Sequence, residues 1–316
     1  MNTLDGYRFS TEDAACLLDS MYGINSVTIE ELYSYEDQNF HVISKNCEKN
    51  PKVFSTQEFV LKILNEENSE DAGIQKDIVH YLIQLQQGGF NTPVPIPAVD
   101  GKLIKIKEKE YGKECHQHVV MLFSFIRDKP LQDVKLHEEE FYRIVKSIAK
   151  IVAKMNKMLM GEKSNHLSRT TSTWLLENLN EGNVLPRLSI VKNDKTRRLC
   201  RQVVEKFTKE VIPHLSKLRF GIINNDINEG NIIIEQTSAL KKLDTNTWKV
   251  SGLIDFGELA DSKCLFEVAT LLAHMMRHAK ERHFSANKTA CLILEGYEEV
   301  LKLTKEERDC LYLSKR

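Results

Sequence analysis

The chain has 316 residues, of which 41% are hydrophobic and 28% charged, and its formal net charge is −1. This balance excludes the usual nucleic-acid and membrane-surface binders, since both classes favour an excess of Lys and Arg. The sequence has no N-terminal apolar segment, no apolar run of about 18 residues, and seven scattered cysteines without a C-x-x-C pair, which together predict a soluble, cytoplasmic protein with reduced thiols.

The first 64 residues predict a helix followed by three strands. Ser10 begins an N-terminal capping pattern, and apolar residues then recur at helical spacing until Gly23. Residues 27–33, 40–44 and 58–64 have the composition of strands, and the turn-forming residues 36–39 join the first two. This order predicts a small lobe built on a sheet.

The third predicted strand contains Lys62. Alternation along the strand places Lys62 with Val60 and Leu64, which we assign to the covered face of the sheet. A lysine at this position indicates either a phosphate-binding residue or an edge lysine that discourages aggregation.

The remaining pattern changes from strands to helices along the chain. A helix is predicted at 74–87, a proline-rich connector at 91–98, strands at 102–107 and 118–126, and a hinge near 124–127. Helices are then predicted from residue 138, at 196–217 and at 264–279. The sequence therefore predicts an α+β fold with two lobes, because single cores seldom grow beyond about 250–300 residues.

The last predicted helix is only begun when the chain ends. Residues 310–316 have the pattern of its first turns. If the helices that would follow are missing, we expect the apolar face formed by Leu271, Leu272 and Met275 to be partly uncovered. The chain would then be less stable than relatives that contain those helices.

Two short segments carry the chemistry. Residues 221–235 contain Asp226 and Asn231, five positions apart, and residues 253–257 contain Asp255 at the end of the next strand. A predicted hairpin brings these side chains to one place. A phosphoryl-transfer site needs one Asp to accept a hydroxyl proton, and an Asn and a second Asp to hold Mg²⁺. The alternative for Asp226 is a turn residue that caps the following backbone.

Two other kinds of site find little support. His274 and His278 lie four residues apart on a predicted helix, but no Glu follows the first and no third zinc ligand is evident. A Ser-His-Asp hydrolase is not indicated, since the sequence contains no G-x-S-x-G.

The order of these motifs, with a strand lysine upstream, resembles the aminoglycoside phosphotransferase and choline kinase superfamily, whose fold is similar to that of protein kinases. Within this superfamily the chain resembles the hydroxylysine kinases. Further segments carry the resemblance: Ser34-Tyr-Glu-Asp-Gln-Asn-Phe-His41, Phe59-Val-Leu-Lys-Ile63, the Trp174 segment and Phe266-Glu-Val-Ala269.

The resemblance implies a two-lobed protein-kinase-like fold, with residues 1–126 as the nucleotide-binding lobe and 127–316 as the catalytic and substrate lobe. It implies that Lys62 contacts the α- and β-phosphates, and that Gln75 stands where protein kinases have a Glu, with Glu70 and Asp77 as alternatives. Ser34 and Asn39 belong to the turn that covers the phosphates. Asp226 would be the catalytic base, and Asn231 and Asp255 would hold Mg²⁺.

The implied reaction transfers the γ-phosphoryl of GTP, or of ATP, to the hydroxyl of 5-hydroxy-L-lysine in hydroxylysine catabolism. The partners are then a nucleotide and a small amino acid, without nucleic acid or membrane. Two alternatives stay open: another hydroxyl substrate such as choline, an aminoglycoside or methylthioribose, and an inactive relative that only binds nucleotide. Candidate substrate contacts are Trp174, Glu177, Glu229, Glu258 and Glu267.

The chain departs from the family before the catalytic Asp. The usual His-Gly-Asp is replaced by Asn224-Asn225-Asp226. We predict that the Asn224 amide bonds backbone groups and that Asn225 tolerates a positive φ. Gly257 is expected to free the backbone where the chain leaves the sheet beside the metal.

Overall fold

The computed structural model describes residues 8–46, 57–169, 172, 174–237 and 247–313. The chain divides into two compact units, Met1–Arg127 and Asp128–Arg316. Both units combine helices with antiparallel strands. The predicted α+β class is therefore confirmed.

The first unit begins with the predicted capped helix. The hydroxyl of Ser10 accepts from the backbone N–H of Asp13, and the Asp13 carboxylate accepts from the N–H of Ser10 at 3.0 Å. Helix α1, Thr11–Leu17, continues as a π-helical turn, Leu18–Tyr22, and ends at Gly23 with φ 65°. Both predicted ends follow from local chemistry, since a capping box starts a helix and a left-handed glycine ends one.

Six strands form the sheet of the first unit within the described part of the chain. They are β1 (Asn25–Leu32), β2 (Gln38–Asn46), β3 (Glu58–Ile63), β4 (Pro95–Ile96), β5 (Lys105–Tyr111) and β6 (Glu114–Ser124). Their order is β1-β2-β3-β6-β4, with β5 paired to β6. Two helices accompany the sheet: α2 (Glu66–Ser69) and α3 (Ala72–Gln87).

The predicted face of Lys62 is wrong. Phe59, Leu61 and Ile63 of β3 are buried in the hydrophobic cluster that includes α1, whereas Val60 and Lys62 are half-buried on the opposite face. Alternation fixes which residues share a face, but the packing of α1 decides which face is covered.

The second unit contains six helices and five strands among its described residues. The helices are α4 (Glu138–Leu159), α5 (Glu181–Val184), α6 (Asp194–Glu210), α7 (Cys264–Glu281), α8 (Ala286–Glu298) and α9 (Lys305–Leu313). The strands are β7 (Lys129–Pro130), β8 (Phe220–Ile223), β9 (Ile232–Thr237), β10 (Thr247–Leu253) and β11 (Ala260–Lys263). They form two small sheets, β10-β9-β7 and β11-β8.

The helices of the second unit differ from the prediction in several boundaries: α7 ends at Glu281 and not at 279, and α9 begins at Lys305 and not at 310. Helix α6 ends at Glu210 and is followed by a 3₁₀ segment, Ile212–Lys217, whereas we predicted one helix over 196–217. Pro213 lacks the N–H that an α-helix interior needs, which explains the break. Across the described residues, every helix is too short or too polar to cross a lipid bilayer.

The apolar face of α7 is covered, so the expected exposure is wrong. Leu271, Leu272 and Met275 are all buried. Helix α8 packs on α4 and α7, and the buried carboxylate of Glu307 on α9 binds the Arg219 side chain, with Nε to Oε1 at 2.8 Å. The sequence interpretation assigned no helix between 279 and 310, and the expectation of lower stability loses its basis.

Gly296 brings α8 close to α4. A Cβ at this position would lie 2.5 Å from the backbone oxygen of Lys146 and 3.2 Å from Cβ of Ala149. We expect Gly296→Ala to lower the free energy of unfolding by about 1–3 kcal/mol, although alanine favours helices, because the helices must move apart. Urea unfolding would measure the change. Gly182→Ala is the control, since its Cβ would meet only a side-chain oxygen at 3.3 Å; equal losses in both variants would contradict the prediction.

Candidate active site

The loop between β8 and β9 fixes both oxygens of the Asp226 carboxylate. Oδ1 accepts from Asn228 Nδ2 and Oδ2 accepts from Asn231 Nδ2, each at 2.8 Å. The backbone N–H of Asp226 donates to Asn224 Oδ1 at 3.0 Å. Three asparagine side chains therefore orient the predicted base.

The two asparagines that replace the family's His-Gly behave as predicted. Asn224 is buried, and its Nδ2 donates to the backbone oxygen of Asp255 at 3.2 Å. Asn225 has φ 66°, a left-handed conformation that asparagine tolerates better than most side chains. With the two asparagines the loop therefore keeps its hydrogen-bonded support, and its backbone can still adopt the left-handed turn.

Asn225 offers a direct test of that turn. We expect Asn225→Ala to lower the free energy of unfolding by about 1 kcal/mol, because alanine is strained at positive φ, and Asn225→Gly to cost only a few tenths. Both variants keep the backbone N–H that donates to Glu267 Oε2 at 3.0 Å. Thermal unfolding of the pair gives the answer, and a glycine variant less stable than the alanine variant would refute the role of φ.

Asn231 and Asp255 carry side-chain oxygens of the kind that bind Mg²⁺. Asn231 Nδ2 donates to the backbone oxygen and Oδ2 of Asp226, which directs its amide oxygen elsewhere. The backbone oxygen of Asn231 accepts from the N–H of Ile254 at 2.9 Å, which joins the loop to the Asp255 turn. An amide oxygen and a carboxylate are ligand types that suit Mg²⁺, so these residues fit the ion.

The turn after β10 differs from the prediction in its strained residue. Asp255 itself has φ 55°, whereas Gly257 is not among the described residues with positive φ. The Asp255 Oδ1 accepts from the N–H of Gly257 at 3.2 Å. Asp tolerates this conformation when its short side chain bonds nearby backbone, so the carboxylate stabilises the turn that carries it.

Burial and charge raise the pKa of two neighbouring carboxyls. Burial raises the pKa of Asp226, the negative charge of Asp255 adds to the rise, and hydrogen bonds from Asn228 and Asn231 oppose it. Glu267, only 1% exposed, has its pKa raised to about 7 by burial, against hydrogen bonds from backbone N–H groups of the loop. Its Oε1 is buried and has no hydrogen-bond partner within the described ranges. Glu267 therefore lies beneath the loop and is not an exposed substrate contact.

The other predicted substrate carboxylates already have partners. Glu229 binds Arg277 at 2.5 Å, Glu258 binds Arg169 at 3.1 Å, and Glu177 accepts from the hydroxyl of Ser262 at 2.7 Å. These partners are distant in sequence, and no local sequence pattern indicates them. The sequence interpretation missed each pairing.

Trp174 is the predicted substrate residue with the largest open surface. Trp174 is 61% exposed, and its backbone oxygen lies 3.5 Å from Asn225 Nδ2. An exposed indole offers an apolar and π surface to a bound molecule, and the backbone of Trp174 contacts the residue that precedes Asp226.

The sequence did not favour a zinc site at His274 and His278, and of this pair only His278 belongs to a group of candidate metal ligands within the described residues. Glu229, His278 and Glu281 have ligand atoms within 4.8 Å of one another. However, the Arg277 guanidinium contacts both carboxylates, at 2.5 and 3.8 Å. Both carboxylates are therefore already paired with a positive charge.

The predicted nucleotide residues all belong to the first unit, where Lys62, Asn39 and Ser34 lie close together. Lys62 Nζ lies 3.2 Å from Asp37 Oδ2, and Lys62 is directly opposite Asn39 in the β2–β3 pairing. Asn39 Nδ2 donates to Ser34 Oγ at 3.2 Å. Gln75, 7% exposed, lies on α3 in the same unit. Asp37 was missed as the partner of Lys62, although its place next to the strand residue Gln38, opposite Ile63, could have suggested it.

Comparison with known proteins adds independent information. Residues 34–301 match the model of the phosphotransferase enzyme family. Hydroxylysine kinase of Xenopus laevis is 28% identical over 306 residues, which are 96% of this chain and 78% of that protein. Hydroxylysine kinase of Bos taurus is 29% identical over 313 residues, with the same shares.

Solved structures share the fold at low identity. The amicoumacin kinase hAmiN in complex with AMP-PNP, Ca²⁺ and Ami has a TM-score of 0.64 at 13% identity, covering 96% of this chain and 83% of that one. The microcompartment-associated aminopropanol kinase has a TM-score of 0.63 at 13% identity, covering 96% and 86%. These similarities confirm the predicted kinase-like fold class.

Proposed function

Because this chain belongs to the phosphotransferase enzyme family, whose members transfer phosphate to a hydroxyl of a small molecule, we propose that it phosphorylates 5-hydroxy-L-lysine. The γ-phosphoryl of a nucleotide would pass to the 5-hydroxyl, giving 5-phosphohydroxylysine. Similarity to hydroxylysine kinases along 96% of the chain supports this substrate. The observation that carries the proposal is the fixed Asp226 carboxylate, held 2.8 Å from the amide of Asn231 beside Asp255.

The site residues of the second unit have different parts in the proposed reaction. Asp226 accepts the proton of the substrate hydroxyl as it attacks, and its raised pKa makes it a stronger base than an exposed Asp. Asn231 and Asp255 would hold Mg²⁺, which neutralises phosphate charge when bound. Asn224 and Asn228 keep Asp226 oriented, so most of the catalysis comes from positioning.

The first unit supplies the proposed phosphate contacts. Lys62 would hold the non-transferred phosphates, with Ser34 and Asn39 on the turn that covers them. In the structure Lys62 is paired with Asp37, so a phosphate must share or replace that carboxylate. We propose that Gln75 supports Lys62 from α3.

We propose GTP as the donor, with ATP as the alternative, on the strength of the resemblance to hydroxylysine kinases. We also place the reaction in the cytoplasm, as part of hydroxylysine catabolism. The cysteines of the described residues support this location, since all six are free thiols.

A transfer assay tests the proposal. Radiolabelled GTP and ATP are compared with 5-hydroxylysine as acceptor, and lysine, which lacks only the hydroxyl, is the matched control. We expect product from hydroxylysine and none from lysine. A higher kcat/KM with choline or an aminoglycoside would assign another substrate, and bound nucleotide without any transfer would indicate an inactive relative.

A further inference from the structure

Arg169 is held in an unfavourable state in the second unit. Its backbone has φ 39°, which is strained for a residue other than glycine. Its side chain is 15% exposed, and its Nε is buried without an acceptor among the described residues, which omit its neighbours 170 and 171. A residue keeps such strain only when its surroundings fix it, and such residues cluster at functional sites.

The guanidinium of Arg169 contacts the turn that carries Asp255. Nη1 donates to Glu258 Oε2 at 3.1 Å, and Nη2 donates to the backbone oxygen of Gly257. The N–H of Gly257 in turn donates to Asp255 Oδ1. Gly257 is therefore held from both sides, by the Asp255 carboxylate on its nitrogen and by Arg169 on its oxygen.

The opposite end of the turn is also fixed. The backbone oxygen of Asp255 accepts from Asn224 Nδ2 at 3.2 Å. Asp255 has its own strained φ of 55°, so its carboxylate direction depends on these flanking contacts.

The segment that contains Arg169 is attached to the strand after the turn. The N–H of Asp261 on β11 donates to the backbone oxygen of Leu167 at 2.8 Å, and the Ser262 hydroxyl donates to Glu177 at 2.7 Å. These contacts flank Arg169 in the chain, before and after it. They attach the chain on either side of Arg169 to the strand that follows the turn.

We propose that Arg169 is a positioning residue for the metal site, which holds the turn 255–258 so that the Asp255 carboxylate faces the cation. The proposal rests on the metal role of Asp255 in the proposed function. Because the charge of Arg169 is neutralised by its ion pair with Glu258, the pair adds little net positive charge near a bound cation. The planar fork of arginine reaches a carboxylate and a carbonyl at once, which the single ammonium of lysine cannot reproduce.

The test measures metal binding directly. Mn²⁺ binding to the protein with GDP is followed by the paramagnetic resonance of free Mn²⁺, in the wild type, Arg169→Gln and Arg169→Lys. We expect the Kd for Mn²⁺ to rise about tenfold or more in Arg169→Gln and by less in Arg169→Lys, since outer contacts of metal ligands contribute that much. The Mg²⁺ concentration for half-maximal transfer should rise in parallel, with the KM for the acceptor unchanged.

Arg197→Gln is the matched control. Arg197 on α6 also binds one backbone oxygen, that of Val191 at 3.0 Å, and one carboxylate, that of Asp194. Its loss should change thermal stability without changing the Kd for Mn²⁺.

The outcomes separate the two proposals. Wild-type Mn²⁺ affinity in a folded Arg169→Gln variant would overturn the positioning role, and if that variant does not fold, wild-type affinity in Arg169→Lys would do so. A wild-type protein that binds GDP but no Mn²⁺ would overturn both this inference and the metal role in the proposed function.

Discussion

Asp226→Asn is expected to lower kcat for phosphoryl transfer by about 10²–10⁴-fold, because an amide cannot accept the hydroxyl proton. Asparagine has nearly the same shape as aspartate. In the wild type the Asp226 carboxylate accepts from both Asn228 and Asn231, whereas the amide of the variant would turn a donor toward one of them. Single-turnover kinetics with saturating nucleotide would measure the effect on the chemical step. Nucleotide affinity, measured separately by calorimetry, should change little.

The same variant should not unfold the protein. Burial raises the pKa of Asp226, so its charged form opposes folding near neutral pH, and the neutral asparagine removes that charge. The melting temperature should therefore stay close to that of the wild type, because removal of the buried charge offsets the loss of one hydrogen bond to the amide. Asp194→Asn, at an exposed position in the first turn of α6, is the control and should keep full activity. An Asp226→Asn enzyme with more than a tenth of the wild-type kcat would rule out Asp226 as the base.

The contribution of Glu267 to stability is expected to fall as pH rises from about 5 to 8. Its pKa is raised from 4.5 to about 7 in the folded protein, chiefly by burial. The folded state therefore binds this proton more tightly than the unfolded state. The resulting stabilisation is complete below pH 4.5 and is lost as pH rises through 7. A pKa shift of this size corresponds to roughly 3 kcal/mol of stability.

Glu267→Gln isolates this contribution. The glutamine oxygen can still accept from the N–H of Asn225, so the loop keeps its support while the titrating group is removed. Urea unfolding at pH 5, 6, 7 and 8 should show a flatter dependence in the variant than in the wild type. Glu205→Gln on the surface of α6 should keep the wild-type dependence. Parallel curves for the wild type and Glu267→Gln would show that Glu267 does not titrate in this range.

Local sequence determined the elements and the order of the site. The start of α1 depends on Ser10 and Asp13, which are three residues apart. The positive φ of Asn225 depends only on that residue and its neighbours in the turn. The motifs at 221–235 and 253–257 likewise lie at the ends of neighbouring strands of one hairpin. Such features depend on residues within a few positions, whose chemistry the sequence shows directly.

Only the tertiary structure decided which groups are buried and what each charge contacts. Packing between distant segments decides which face of β3 carries Lys62, buries Glu267 and covers α7. The pairs Glu258–Arg169 and Glu229–Arg277 likewise join residues that are far apart in sequence. The assignments of catalytic base, metal ligands and nucleotide contacts remain predictions. Periodicity gives the faces of an element, but the partner of each face depends on how the chain folds back, because contact energies act across space and not along sequence.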